Sequence, residues 1–221
     1  MNLADVKRLL EFDTPTVANG LEMLEVRDPS GGYAGPDVRA LTPELGRRVG
    51  IAVTARMNTT SPGTDRPESL FLDLLRAIQA VAKSNGSESV PVFAVMESVG
   101  PRPRYTVTIG DIMATMLKMA GAVGFLTNGS IRDLEGIQAV QLACWGTGLS
   151  PMHGRIRWLD VNSPVVIDGM TVRPGDVIHA DINGALVIPP DVSDQVYDKV
   201  LLVQERERKL LAKLRETGLG L

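Results

Sequence analysis

Two short stretches carry residue types that could do chemistry. Gly110-Asp111-Ile112-Met113 puts a glycine and a carboxylate at the start of an amphipathic run, and Asn128-Gly129-Ser130-Ile131-Arg132-Asp133 ends in a guanidinium beside a second carboxylate. Glycine lets a backbone approach a ligand closely. Amides at a helix start favour an anion such as a carboxylate. Arginine can grip a carboxylate in a two-pronged fork. An aspartate on a loop can ligate Mg²⁺ or Mn²⁺, hard ions that prefer oxygen and keep several waters. A metal ion, an anionic substrate and an acid–base group could be assembled from that much. Each stretch also has a plainer reading. Thr108 with Asp111, and Ser130 with Asp133, have the spacing of a capping box, in which the carboxylate only closes a helix end.

The segments around them decide whether they meet. Residues 112–120 have a helix-like pattern and 122–127 form an apolar, strand-like run. A helix leading into a strand that ends in a polar loop returns that loop to the helix start. Asp111, Arg132 and Asp133 are therefore expected to converge. Loops at strand C-termini are also where α/β proteins bind ligands.

The rest of the chain reads as alternating helices and strands, then hairpins, then a helical tail. Leu3, Val6, Leu9 and Leu10 give a short amphipathic helix, and Thr14-Pro15 suggests an N-cap and a first-turn proline. Gly20 lies inside that second helix at a cost of about 1 kcal/mol relative to Ala, so a close contact should require it. Pro29, Gly31, Gly32, Gly35 and Pro36 mark a loop. Strands are expected over 49–57 and 91–96, with Glu97 at the end of the second, and helices over 70–81 and 134–142. Hairpins are expected around Asp168-Gly169 and around Asp181-Ile182-Asn183-Gly184. Residues 191–216 form a closing helix. The polar segment 58–67 is long enough to move and could bear on specificity.

Composition narrows the function. The chain has 221 residues, 44% hydrophobic and 22% charged, and a net charge of −3. That is ordinary for a globular protein and does not recommend nucleic acid, which wants a basic surface. The single cysteine, Cys144, excludes an internal disulfide and fits a reducing compartment. No apolar run approaches the roughly 18 residues of a membrane helix. Residues 1–5 lack a basic start with an apolar core, so no signal peptide is expected and the expected location is the cytoplasm.

Other motifs are weaker. Of the two histidines, His179 lies in a hairpin strand and reads as structural, while His153 in a loop is a minor catalytic candidate. Cys144-Trp145 reads as core or pocket wall. Gly146-Thr147-Gly148 lacks the third glycine and the setting of a dinucleotide site. Asp181-Ile182-Asn183-Gly184 begins like a calcium loop but lacks its later ligands. The charges from Glu205 to Lys209 suit a solvated or subunit-facing helix surface.

Three stretches together resemble the RraA-like family. They are Thr14-Pro15-Thr16-Val17-Ala18-Asn19-Gly20-Leu21; Gly110-Asp111 with Gly121-Ala122-Val123-Gly124 and Asn128 through Asp133; and Val172-Arg173-Pro174-Gly175-Asp176 through Ala180 to Pro189. The middle one is the specific one: an acidic residue, twenty residues, then Arg-Asp. The family includes class II aldolases acting on 4-hydroxy-4-methyl-2-oxoglutarate and 4-carboxy-4-hydroxy-2-oxoadipate, and regulators of ribonuclease activity. The resemblance implies a swivelling β/β/α fold in one domain spanning 1–221, with helices at 1–26 and a tail at 191–221. It implies a homotrimer or homohexamer with sites between subunits.

On the same ground Asp133 would bind the metal, Mg²⁺ or Mn²⁺, and Arg132 would contact substrate and stabilise an enolate. Backbone amides of Gly110, Asp111, Ile112 and Met113 would hold the pyruvyl carboxylate, and Asp111 would order waters on the metal. Two departures stand out. Asn128 replaces a common aspartate, and the neighbouring-subunit carboxylate of the aldolases has only Glu205 or Glu207 as counterparts.

The expected activity is a metal-dependent lyase cleaving a C–C bond of a 2-keto acid through a pyruvate enolate, as an aldolase or an oxaloacetate decarboxylase. A divalent Lewis acid and the fixed charge of Arg132 suit the developing oxyanion. The two motifs contain no lysine, so a Schiff base is not suggested. The alternatives are a protein-binding ribonuclease regulator and a metal-dependent hydratase or isomerase. A methyltransferase would want a glycine-rich nucleotide loop after a first strand.

Overall fold

The computed structural model describes residues 3–28, 30–58, 68–86 and 88–217. Pro29 of the expected loop and most of the polar segment, residues 59–67, lie outside the described residues. In chain order the elements begin with α1 (Leu3–Arg8), a 3-10 turn, α2 (Thr14–Glu22), β1 (Arg39–Ala40), β2 (Arg48–Asn58), α3 (Glu68–Ala82) and β3 (Val92–Ser98). Then come β4 (Val107–Ile109), α4 (Asp111–Ala120), β5 (Ala122–Thr127), β6 (Ser130–Ile131), α5 (Leu134–Ala139) and β7 (Ala143–Gly146). The last are β8 (Arg157–Val161), β9 (Val165–Ile167), β10 (Met170–Val172), β11 (Val177–Asp181), β12 (Gly184–Ile188) and α6 (Ser193–Thr217).

The main sheet runs β1-β7-β5-β3-β2-β11-β12, and β8 also pairs with β2. The pairs β2–β3, β3–β5 and β5–β7 are parallel; the outer pairs are antiparallel. β2 to β5 are apolar on both faces because both faces are covered. On one face Val53, Ala55, Ala94, Met96 and Phe125 pack under α3, α4 and α5 through Leu74, Ile78, Leu117 and Ile137. On the other face Ala52, Phe93, Val95 and Leu126 meet the β9–β10 hairpin through Val165, Ile167 and Met170. The fold is therefore a mixed α/β structure with helices on one side of the sheet and strands on the other, the β/β/α layering expected.

The sheet curls until its ends nearly meet. Three strands separate β7 from β11, and adjacent strands lie about 4.8 Å apart, yet Trp145 Nε1 on β7 donates to Asp181 O on β11 at 2.7 Å. The segment before β1 spans the gap. Tyr33 bridges to Leu186 on β12, Ala34 N donates to Ala185 O, and Arg39 and Ala40 pair with β7.

A third cluster joins α1, α2 and α6 to β11 and β12, with Val6, Leu9, Val17, Val177, Leu186, Val196 and Val200 buried. The cap of α2 is Asp13, not Thr14: its carboxylate accepts Thr16 N at 2.8 Å, and Pro15 sits in the first turn. Thr14 N donates instead to Asp181 Oδ2 at 2.8 Å. Gly20 has the contact its position called for, since a Cβ there would lie 2.7 Å from Val200 Cγ2 and 3.1 Å from Val200 N. Buried His179 is structural. With Leu9 O as acceptor, Nε2 donates at 3.1 Å and Nδ1 accepts from Thr14 Oγ1 at 3.0 Å. Both hairpins form at the expected turns. The expected helix over 134–142 is shorter, because Gln141 adopts a left-handed conformation, φ 58°, and Leu142 turns into the core ahead of β7.

Candidate active site

α4 starts directly after β4, and β4 pairs in parallel with β6. Arg132 N donates to Ile109 O at 3.1 Å, so the residue following β6 is tied to the residue before Gly110. This backbone link brings the two chemistry-bearing stretches together. A Cβ on Gly110 would lie 2.6 Å from Asp133 Oδ2 and 3.0 Å from Arg132 Nε. Glycine is required there for close approach, since the extended backbone at φ −124° suits any residue. Asp111 packs over α5: a Cβ on Gly136 would lie 2.6 Å from Asp111 Cβ and 3.0 Å from its Oδ2. Asp111, Arg132 and Asp133 thus gather around one helix start, as their spacing predicts.

Neither capping box forms. Thr108 belongs to β4 and its hydroxyl donates to Ser130 O, while Ser130 Oγ donates to Arg104 O at 2.6 Å. The N-cap of α4 is Gly110, with no side-chain cap. Asp111 Oδ1 accepts the neighbouring Ile112 amide at 2.7 Å. First-turn amides have no intrahelical acceptor, and of the expected carboxylate cradle that of Ile112 is engaged by Asp111 here. Asp133 is itself the N-cap of α5, in the left-handed conformation (φ 56°, ψ 44°), without a side-chain cap bond. A non-glycine residue held there is uncommon and strained, a state found at functional sites.

Arg132 Nε lies 3.2 Å from Asp133 Oδ2, with the two side chains 31% and 40% exposed. The pair is neither buried nor free in solvent, so both partners can reach a ligand. It separates two hollows. One, of about 250 Å³, is lined by Gly110 to Met113 and Arg132 and faced by Met152, His153, Gly154 and Ile156. The other, about 400 Å³ and shallower, is lined by Arg132, Asp133, Leu134, Leu149, Ser150 and Pro151. His153 therefore lies on the cleft wall. The wall from Met152 to Ile156 carries no sequence signal beyond that histidine. Gly136 under Asp111 had one: a glycine inside a helical pattern.

Other polar or reactive residues make their contacts elsewhere in the chain. Cys144 is fully buried, its thiol pushed up by burial, and belongs to the core under the helices. Glu97 accepts Val166 N at 3.1 Å on the hairpin side, and burial raises its carboxyl. Asn128 is a clamp: Oδ1 accepts Ser98 N at 2.7 Å and Nδ2 donates to Ser98 O at 3.1 Å. An aspartate could make only the first bond. Glu205 pairs with Arg208 and Lys209 on its own helix, which lowers its carboxyl to about 2, and Glu207 accepts from Asn19 Nδ2 at 3.2 Å. Among the described residues no three of His, Cys, Asp and Glu cluster as metal ligands, and no helix is long and apolar enough to cross a membrane.

Comparison with known proteins agrees with this architecture. DlpA of Legionella pneumophila is 32% identical over 103 residues, which are 46% of this chain and 17% of that protein. A Halalkalibacterium halodurans protein named "Putative 4-hydroxy-4-methyl-2-oxoglutarate aldolase" is 33% identical over 92 residues, 41% of this chain and 43% of that one. The chain thus spans less than half the length of either relative. The crystal structure of Streptomyces coelicolor RraAS2, described as an unusual member of the RNase ES inhibitor RraA family, superposes with a TM-score of 0.71. It shares 21% identity and covers 94% of this chain and 96% of that one. The family model described as Aldolase/RraA matches residues 5–187, so the chain belongs to the RraA-like family.

Proposed function

We propose that the chain is a divalent-metal-dependent lyase that cleaves a C–C bond of a 2-keto acid through a pyruvate enolate, as an aldolase, an oxaloacetate decarboxylase or both. The observation that carries this reading is the meeting of Asp133, Arg132 and the Gly110 helix start where two hollows adjoin at Arg132. The aldolase name borne by relatives at about a third identity supports the reaction class.

The donor set fits a hard cation. Asp133 offers an accessible carboxylate in a strained, directed conformation, and Asp111 a second one nearby. Mg²⁺ and Mn²⁺ sites commonly use one or two protein carboxylates and fill the remainder with water and substrate oxygen. Bound there by Asp133, such an ion would supply Lewis acidity at the keto oxygen. The protein's own groups do the rest. Arg132 brings fixed positive charge to the oxygen where the enolate charge develops. The first-turn amides of α4 orient the substrate carboxylate. Asp111, on moving from the Ile112 amide, would free that amide and order water at the metal. We further propose a trimer or hexamer, supported by the exposed Ile112 and Leu149 beside the site, and a cytoplasmic location.

The test is oxaloacetate incubated with chelator-stripped protein, with and without Mg²⁺ or Mn²⁺, and pyruvate followed by a coupled dehydrogenase. Metal-dependent release above the protein-free control is expected. No release from folded, metal-binding protein would shift weight to another acid chemistry or to the regulator role.

A further inference from the structure

The cleft does not end at α4. Met113 and Ile156 divide it from a second hollow of about 320 Å³, which they line with Phe71, Leu72, Met116 and Trp158. All six lining residues are apolar. The rings of Phe71 and Trp158 stack at 5.2 Å and 22°, which stiffens the wall. Trp158 is 7% exposed and Leu72 46%, so the hollow opens past Leu72. An apolar cavity of about 150 Å³ accepts benzene, so an aryl or branched alkyl group fits here. A second carboxylate would lose its water in this hollow and, among the described residues that line it, meet no cation and only the Trp158 indole N–H as a donor.

We infer, resting on the reading that the cleft takes a 2-keto acid, that this hollow receives the substituent on C4 and selects an uncharged, hydrophobic one over a carboxylate. The substrate class is then 4-hydroxy-2-oxo acids with an aryl or branched alkyl tail. The keto-acid head sits at Arg132 and the start of α4, and the tail passes Met113. In the reaction the C3–C4 bond breaks and the C4 hydroxyl proton leaves to water. C4 departs as an aldehyde or ketone, and C3 of the pyruvate enolate takes up a proton.

The test uses the full chain with Mn²⁺. Pyruvate release from 4-hydroxy-2-oxo-4-phenylbutanoate is compared with release from 4-hydroxy-4-methyl-2-oxoglutarate. We expect kcat/KM at least about tenfold higher for the phenyl acid. Leu72→Glu puts a charge at the rim, outside the catalytic groups. It should cut phenyl-acid turnover about tenfold and leave oxaloacetate decarboxylation within about twofold. A second readout needs no turnover: 2-oxo-4-phenylbutanoate, which lacks the hydroxyl and cannot be cleaved, should change Trp158 fluorescence saturably. The change should be lost in Trp158→Phe and weakened in Leu72→Glu. Preference for the dicarboxylate overturns the inference, as does an unchanged preference in Leu72→Glu. So does a Leu72→Glu variant that alters only the mass of the assembly, which would make the hollow a surface between copies. If no acid is cleaved and oxaloacetate is untouched, the lyase reading fails and the titration alone decides: saturable, Leu72-sensitive binding upholds the hollow and its absence overturns it.

Discussion

Asp133 combines a reactive group with a strained backbone, and the two can be separated by substitution. Asparagine tolerates the left-handed conformation at least as well as aspartate but carries no charge. Asp133→Asn should therefore keep unfolding stability within about 0.5 kcal/mol while metal-dependent pyruvate release falls at least about a hundredfold; urea titration and the coupled assay check both. At Asn128 the expectation reverses. Asn128→Asp should leave an oxygen facing Ser98 O in place of a donor, costing about 1–2 kcal/mol in the same titration. At this scale the gathering of Asp111, Arg132 and Asp133 was legible, because residue type and strand–loop–helix order suffice for it. The double hydrogen bond of Asn128 was not, since its partner Ser98 is thirty residues away. Nor was the Asp111–Ile112 bond, which depends on a rotamer.

Elements place these residues by steric limits as much as by hydrogen bonds. Gly110→Ala should push Asp133 and Arg132 apart, because its Cβ would lie 2.6 Å from one and 3.0 Å from the other. The coupled assay should then show at least about tenfold lower kcat/KM, and the thermal midpoint should fall slightly, since Gly110 is the N-cap of α4 and alanine is a poorer N-cap than glycine. Gly20→Ala tests the α2–α6 contact. Alanine's propensity is worth about 1 kcal/mol, but overpacking against Val200 costs about 1–3 kcal/mol, so a net loss is expected, with partial recovery in Gly20→Ala/Val200→Ala. Long elements were readable from their patterns: β5 occupies the residues expected, and both hairpins follow from their turn chemistry. β1, β4, β6 and β7, of two to four residues each, are too short to show a period. They are defined by partners, and β4 with β6 is what joins the site.

The molecule as a whole is held together at both ends of the chain, and His179 makes that pH-dependent. Burial holds its imidazole below the ordinary 6.5. Below that value the unfolded chain takes up a proton that the folded chain resists, so stability is full above 6.5 and falls as pH drops toward the folded value. The slope from one group is at most about 1.4 kcal/mol per pH unit. Urea midpoints between pH 7.5 and 5.5 should fall accordingly, and His179→Asn should flatten that part of the profile. β2 has a consequence of a different kind. One edge of this central strand is paired with β3, but its other edge is shared by β8 and β11, which lie about a hundred residues or more further along the chain. During synthesis at about 5–20 residues per second, that apolar edge waits on the order of ten seconds for its partners. A ribosome stalled before residue 157 would display an open strand able to pair with its neighbours on the same message. Slower translation of the segment between β3 and β8 should therefore lower the yield of native protein even though no residue has changed.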